Sequence, residues 1–158
     1  MIFVSVGTYR TGFDRLIREV DRLAGNRILK NVIAQIGYTK YQPKFIKYKR
    51  FFSGSEMDKL IKKSSFLIVH GGTGTLSQGL RCKKKIIAVP RFKKYNELFN
   101  NHQLEIVRLL ESQKRILAVY NIKDLENAVK TISKFHPEKI KCDKCRITEI
   151  VERFIHEN

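Results

Sequence analysis

The sequence predicts an α/β fold, a mostly parallel sheet with helices packed on both faces. Three observations predict it. Short apolar, β-rich runs alternate with segments of helical apolar periodicity along most of the chain. Several of those runs feed directly into glycine-bearing turns, Gly7-Thr8, Gly37 and His70–Thr75. The chain has 158 residues, 42% of them hydrophobic, which suits one domain with an ordinary core. Strands joined through helices in this way build βαβ units, and their sheet is covered on both sides.

Taken in order, Met1–Val6 (MIFVSV) is a buried strand ended by Gly7-Thr8. Phe13, Leu16, Ile17, Val20 and Ala24 then fall on one face of an amphipathic helix stopped near Gly25-Asn26, with Asp14, Arg15, Arg18, Glu19 and Arg22 opposite. Asp14 is expected on the solvated first turn, complementing the helix dipole. Asn31–Ile36 is a second strand closed by Gly37, and Phe45–Phe52 (FIKYKRFF), alternating apolar and basic, a third. Glu56–Lys63 is a short helix, Phe66–Val69 a buried strand, His70–Thr75 a turn and Thr75–Arg81 a helix. Ile86–Val89 is a strand ending at Pro90, Asn101–Glu111 a helix and Arg115–Val119 the last strand, with helices at about Lys123–Ser133 and Ile147–His156. No repeat, low-complexity tract or linker divides the chain, so residues 1–158 are expected to form a single domain with a helical C-terminal tail from about residue 123.

Composition narrows the function. Thirty-two Lys and Arg against 15 Asp and Glu give a net charge of +17, which calls for an anionic partner: nucleic acid, a phosphorylated ligand or a membrane surface. The apolar content is too regular for a disordered basic tail. No apolar run approaches the roughly 20 residues that span a bilayer, and the N-terminal run is too short for a signal peptide. Three cysteines, an odd number, offer no disulfide framework, so a reducing cytoplasm is expected. Cys142-x-x-Cys145, with His136 upstream, falls short of the four ligands of a zinc site, and Cys82 is distant in sequence. No metal ion and no cofactor are predicted.

Ligands of such sheets bind beyond the carboxyl ends of the strands, at a topological switch point. The relevant loops are Gly7–Gly12, Gly37–Pro43, Ser53–Ser55, His70–Thr75 and Pro90–Gln103. The richest is His70-Gly71-Gly72-Thr73-Gly74-Thr75, between a strand and a helix, where small residues let backbone N–H groups and a helix N-terminus approach a pyrophosphate. It matches neither the Walker A nor the G-x-G-x-x-G spacing; glycines that merely permit a tight turn are the other reading. Asn101-His102-Gln103 opens a helix and can bond hydroxyls or phosphates, or simply cap that helix. Gly7-Thr8 places a further loop at the same crevice. Two acid-free basic stretches, Tyr38–Arg50 and Arg81–Lys94, suit nucleic acid or anionic lipid, or are a lysine-rich solvated surface.

IFVSVGT with FDRLI, then QIG-x-T-x-Y-x-P, IVHGGTGTL, AVPR and NHQLE occur in one order over about residues 1–125. This order resembles the C-terminal, donor-binding domain of glycosyltransferase family 28, the group of the peptidoglycan lipid II UDP-N-acetylglucosamine transferase. It is most similar to stand-alone versions, the exopolysaccharide subunit PssE and the catalytic subunit of the dolichol-linked UDP-N-acetylglucosamine transferase. The PssE pattern is mirrored by Pro90-Arg91, Glu97 and Asn101-His102-Gln103.

The resemblance implies a Rossmann-like domain, the C-terminal half of a GT-B fold, that binds a UDP-sugar. It implies that His70, Gly71, Gly72, Thr73, Gly74 and Thr75 face the donor pyrophosphate, with Gly7 and Thr8 nearby. It places Ser53, Gly54 and Ser55 at the uracil, and His102 and Gln103 at the donor sugar's hydroxyls with Asn101 beside them; Arg91 is expected among the substrate-binding residues. Gln78 stands where the family usually has a Glu that accepts from the ribose hydroxyls, and Leu98 where PssE-like chains often have His. No general base is evident; His70 is a candidate, ranked first as a ligand or loop-shaping residue. The expected function is the catalytic, nucleotide-sugar-binding subunit of a heteromeric glycosyltransferase. It would transfer a hexose-type sugar, N-acetylglucosamine or glucuronate, from UDP to a polyprenyl-linked acceptor. The expected partner is a membrane-anchored acceptor-binding subunit, holding the chain in the cytoplasm at the inner, anionic face of the membrane. The alternatives are a non-enzymatic basic α/β module for nucleic acid and an inactive glycosyltransferase homologue.

Overall fold

Six strands lie in the order β3-β2-β1-β4-β5-β6, every neighbouring pair parallel. They are β1 (Ile2–Ser5), β2 (Val32–Gln35), β3 (Lys47–Lys49), β4 (Phe66–His70), β5 (Lys85–Val89) and β6 (Leu117–Ala118). Between them run α1 (Asp14–Gly25), α2 (Gly54–Lys63), α3 (Thr73–Arg81) and α4 (His102–Ser112), and α5 (Leu125–Thr131) follows β6. These elements come from a computed structural model describing residues 1–99 and 102–138, with only the backbone of His102. Asn101, Cys142, Cys145 and the helix expected at Ile147–His156 lie outside the described residues.

The period-two alternation of the strands builds two cores. Ile2, Val4, Ile68, Ile87 and Val89 point to one face, where Leu16, Ile17, Val20 and Leu23 of α1 and Leu125 of α5 cover them. Phe3, Leu67, Val69, Ile86 and Ala88 point to the other, under Ile61 of α2, Leu76 of α3 and Val107 and Leu110 of α4. Burial on both faces is why the central strands read as continuous apolar runs. The chain steps from β1 outward to β3, then returns to the far side of β1 and continues to β6. The order therefore reverses between β1 and β4, and a crevice opens beyond their carboxyl ends.

Two local features depart from the sequence reading. The third strand is three residues long, not eight. As an edge strand it registers with Ile33–Gln35, and the Ile36 and Gly37 amides still donate to the Lys49 and Arg50 carbonyls. Beyond these the flanks are held by side chains: the Phe45 amide donates to the Asp21 carboxylate (2.8 Å) and the Phe52 amide to the Gln35 side chain (3.0 Å). Asp14 lies in the first turn of α1 but is half-buried, its carboxylate accepting from the Tyr41 amide at 2.8 Å. Together Asp14 and Asp21 pin the 38–45 segment against α1. Among the described residues, no helix is long and apolar enough to cross a membrane.

Candidate functional site

The crevice is organised around His70, the last residue of β4. Its ring is buried, and Nδ1 sits 3.3 Å from the Ser5 carbonyl, an acceptor only, so Nδ1 carries the proton. Burial, and then the nearby Arg91 cation, lower its pKa to about 4, so the ring is neutral at pH 7. It is wedged between the loops after β1 and β4: a Cβ on Gly7 would lie 2.5 Å from Nε2, and one on Gly72 2.2 Å. Gly7 also takes a positive φ of 74°, which a side chain would strain. The expected contribution of His70 as a loop-shaping residue fits this geometry, whereas a ring so weakly basic is poorly matched to abstracting a proton at neutral pH.

Beyond the ring, Gly72 is the N-cap of α3, and no side chain caps that helix. The helix begins at Thr73, two residues earlier than its periodicity suggests, so Thr73, Gly74 and Thr75 form its first turn. Gly74 is exposed, and a Cβ there would meet nothing within 4 Å. Neither φ nor packing demands glycine at this position, although glycine costs a helix about 0.5–1 kcal/mol relative to alanine. The turn thus offers unblocked N–H groups and a positive dipole end to the crevice, a fit for an anion. Gly71 is buried, and its missing Cβ makes room for Gln103 and Val107 of α4, each 2.9 Å away.

The start of α2 is built differently. Ser53 and Glu56 form a capping box: the Ser53 hydroxyl accepts from the Glu56 amide and Glu56 accepts from the Ser53 amide. Lys49, then the Ser53 contacts, hold the Glu56 carboxyl down at about 2. With its own carboxylate already at the N-terminus, α2 suits a neutral group better than a second anion. Gly54 and Ser55 are exposed there, Gly54 with open space around it. On α3, Gln78 donates its amide hydrogen to the Asp58 carboxylate of α2. That contact leaves the Gln78 carbonyl oxygen as the acceptor. Asp58 had no signal in the sequence beyond being one acidic residue in a basic helix.

The Pro90–Glu97 loop is clamped to the crevice by charge. Arg91 is only 1% exposed, and its guanidinium donates to the carbonyls of Thr11 (3.0 Å), Gly12 (2.9 Å), Glu97 (3.3 Å) and Val6 (2.9 Å). Burial lowers its pKa to about 10, so it remains a cation at neutral pH. Arg91 therefore ties the β1 loop to the β5 loop, and these bonds direct its Nη atoms to the backbone. Glu97, also buried, accepts from Arg15 Nε and Nη2 and from the Phe92 amide, all at 3.0 Å. The Gln103 side-chain oxygen accepts from the Arg91 amide at 3.3 Å, anchoring the start of α4.

The structure thus joins Gly7, His70, Gly71, Gly72, Arg91 and Gln103 through direct contacts. Thr73, Gly74 and Thr75 lie on the adjoining turn, and Gln78 is linked through Asp58 to the helix that Ser53–Ser55 begin. Thr8 is exposed at the rim, without an assigned contact. The positioning residues Asp58, Gln35 and Arg15 were given no role by sequence reasoning, because their partners lie far along the chain, whereas Glu97 was marked by the PssE pattern without its partner Arg15. Cys82 is a half-buried free thiol, and among the described residues no group of three His, Cys, Asp or Glu side chains is placed to hold a metal ion.

Solved structures share this architecture. The glycotransferase of kitacinnamycin superposes with a TM-score of 0.65 at 14% identity, over 84% of this chain and 34% of its own. ALG13 superposes with a TM-score of 0.65 at 16% identity, over 99% of this chain and 95% of its own. The spinosyn forosaminyltransferase SpnP superposes with a TM-score of 0.57 at 14% identity, over 84% of this chain and 35% of its own. The chain thus spans about a third of the kitacinnamycin and spinosyn enzymes and nearly all of ALG13. Comparison with curated proteins gives no significant match. The sequence profile of the glycosyltransferase family 28 C-terminal domain matches residues 1–157, and the chain belongs to that family.

Proposed function

We propose that the chain holds the UDP-sugar of a heteromeric glycosyltransferase and presents a hexose-type sugar, N-acetylglucosamine or glucuronate, to a polyprenyl-linked acceptor. One observation carries the donor assignment: the uncapped α3 N-terminus, with Gly74 open to the crevice, set beside a neutral, buried His70 at the switch point. A pyrophosphate seated there accepts from the first-turn N–H groups and the Thr73 and Thr75 hydroxyls. The nucleoside extends toward α2, its base against Ser53–Ser55 and its ribose against the Gln78 carbonyl. Gln103 is taken to contact the sugar, the role the resemblance also gives Asn101 and His102.

In the transfer, the acceptor oxygen attacks the anomeric carbon as the bond from that carbon to the β-phosphate oxygen breaks. The electron pair stays with UDP, whose added charge is stabilised by the α3 dipole and backbone N–H groups already aimed at it. The acceptor proton leaves to a base supplied by the acceptor-binding partner, which we take to be membrane-anchored. The chain then works as a peripheral component at the inner membrane face.

A thermal-shift panel of UDP-, GDP- and dTDP-sugars tests this reading. Saturation at 100 times Kd adds about 2.7 kcal/mol, a rise of roughly 5 °C or more for a domain of this size. UDP-sugars are expected to give that rise, and Thr75→Ala or Gln103→Ala to remove it. No response to any nucleotide sugar overturns the donor assignment.

A further inference from the structure

The rim beside the crevice carries exposed aromatic rings among cations. Phe99 is 86% exposed and Tyr95 52%, with Phe99 edge-on to Tyr9 at 6.3 Å. Arg10, Lys40, Lys93 and Lys94 are exposed around them. Two open recesses, of about 390 and 250 Å³, share Thr11 and Asn96 and bring Lys40 and Tyr95 onto one continuous face with Lys93, Tyr9 and Phe99. The two carboxylates lining them are turned inward, Asp14 onto the Tyr41 amide and Glu97 onto Arg15. The face is therefore apolar at its tip and positive around it.

That pattern could serve nucleic acid, but two of the rings, Phe92 and Tyr95, already hold cations against them. Arg15 sits 5.5 Å from the centre of the Phe92 ring and 5.0 Å from that of Tyr95, and Lys94 approaches the same rings at 5.2 and 5.0 Å. A base stacking on Phe92 or Tyr95 has to displace Arg15 from those rings, whereas a phosphate needs only the exposed Lys94 ammonium. A protruding Phe ringed by lysines matches instead the boundary of an anionic bilayer, where aromatics enter the headgroup layer and cations meet phosphates. We propose that this face docks the chain on anionic lipid, with Phe99 in the headgroup layer and Arg10, Lys40, Lys93 and Lys94 over the lipid phosphates. The proposal rests on the membrane-peripheral part of the function above and is independent of the donor site.

The test is sedimentation of the full chain with phosphatidylcholine vesicles containing 30% phosphatidylglycerol, against phosphatidylcholine alone. Each cation at the surface changes partitioning about fivefold. Lys93→Ala/Lys94→Ala is therefore expected to lower the partition coefficient about 25-fold. The charge-matched Lys62→Ala/Lys63→Ala on α2 is expected to change it less than about twofold. The chain has no tryptophan, so Phe99→Trp supplies a sole indole whose emission is expected to shift to the blue on anionic vesicles only. Equal losses in both double variants, an unshifted indole, or lysine-dependent binding to single-stranded oligonucleotide without vesicle binding overturns the proposal. A UDP thermal shift on the same preparation separates this failure from failure of the donor assignment.

Discussion

A methyl group at Gly72 would stand 2.2 Å from His70 Nε2 and 2.9 Å from Cδ2 and Cε1. The imidazole cannot simply retreat, since Gly7 closes on it from the other side and its Nδ1 is tied to the Ser5 carbonyl. Gly72→Ala must therefore displace the ring or splay the two loops. Overpacking of a filled interior costs about 1–3 kcal/mol, and alanine is a poorer N-cap than glycine by roughly 0.5–1 kcal/mol. The expected loss is about 3 kcal/mol, read by urea unfolding with linear extrapolation. The same substitution in a His70→Ala background meets no ring and should cost only the capping difference, under about 1 kcal/mol. The coupling between the two sites is thus about 2 kcal/mol. Equal costs of Gly72→Ala in the two backgrounds would refute the wedge.

Other outcomes follow from the same contacts. His70 has a folded pKa of about 4 against 6.5 for the free side chain, so the unfolded chain binds more protons between those values. Its contribution is present above pH 6.5 and is lost as the pH falls toward 4, on the order of 3 kcal/mol in all. Compared with the wild type, His70→Gln should flatten the stability profile over that window. Asp21, 1% exposed, accepts from the Lys44 and Phe45 amides and the Tyr41 hydroxyl, so Asp21→Ala should cost about 3 kcal/mol. It should also return the Tyr41 hydroxyl, held high chiefly by its hydrogen bond to Asp21, toward its ordinary pKa in a spectroscopic titration. Gln78→Glu alone sets a second carboxylate against Asp58 and should weaken UDP binding several-fold by calorimetry, whereas Gln78→Glu/Asp58→Asn should bind at least as tightly as the wild type.

The parts legible in the sequence are those whose cause is local. The apolar runs at Ile2–Ser5, Phe66–His70 and Lys85–Val89 are buried on both faces, and the stripe Leu16, Ile17, Val20 and Leu23 is one face of one helix. The glycine loop was equally visible, because a strand, a glycine cluster and a helix stand consecutively in the chain. What stayed hidden depends on partners far away. Asp21 looks like one more polar helix residue until the 38–45 segment folds back on it. Arg91 looks like a loop cation free to meet a ligand, yet its carbonyl partners Val6, Thr11 and Gly12 come from the opposite end of the fold. The edge strand was overestimated because alternation records which side chains can face inward, not whether a neighbouring strand is long enough to pair with them.

Gly74→Val tests the central claim most directly, because the fold gives glycine no reason to be there. An added side chain enters open space at the α3 N-terminus, so the variant should fold with unchanged or higher Tm while the path of an anion to the first-turn N–H groups is blocked. Isothermal titration with UDP is expected to show clear binding to the wild type and a loss of at least about 100-fold, roughly 2.7 kcal/mol, in Gly74→Val. Wild-type affinity in the folded variant would contradict the account.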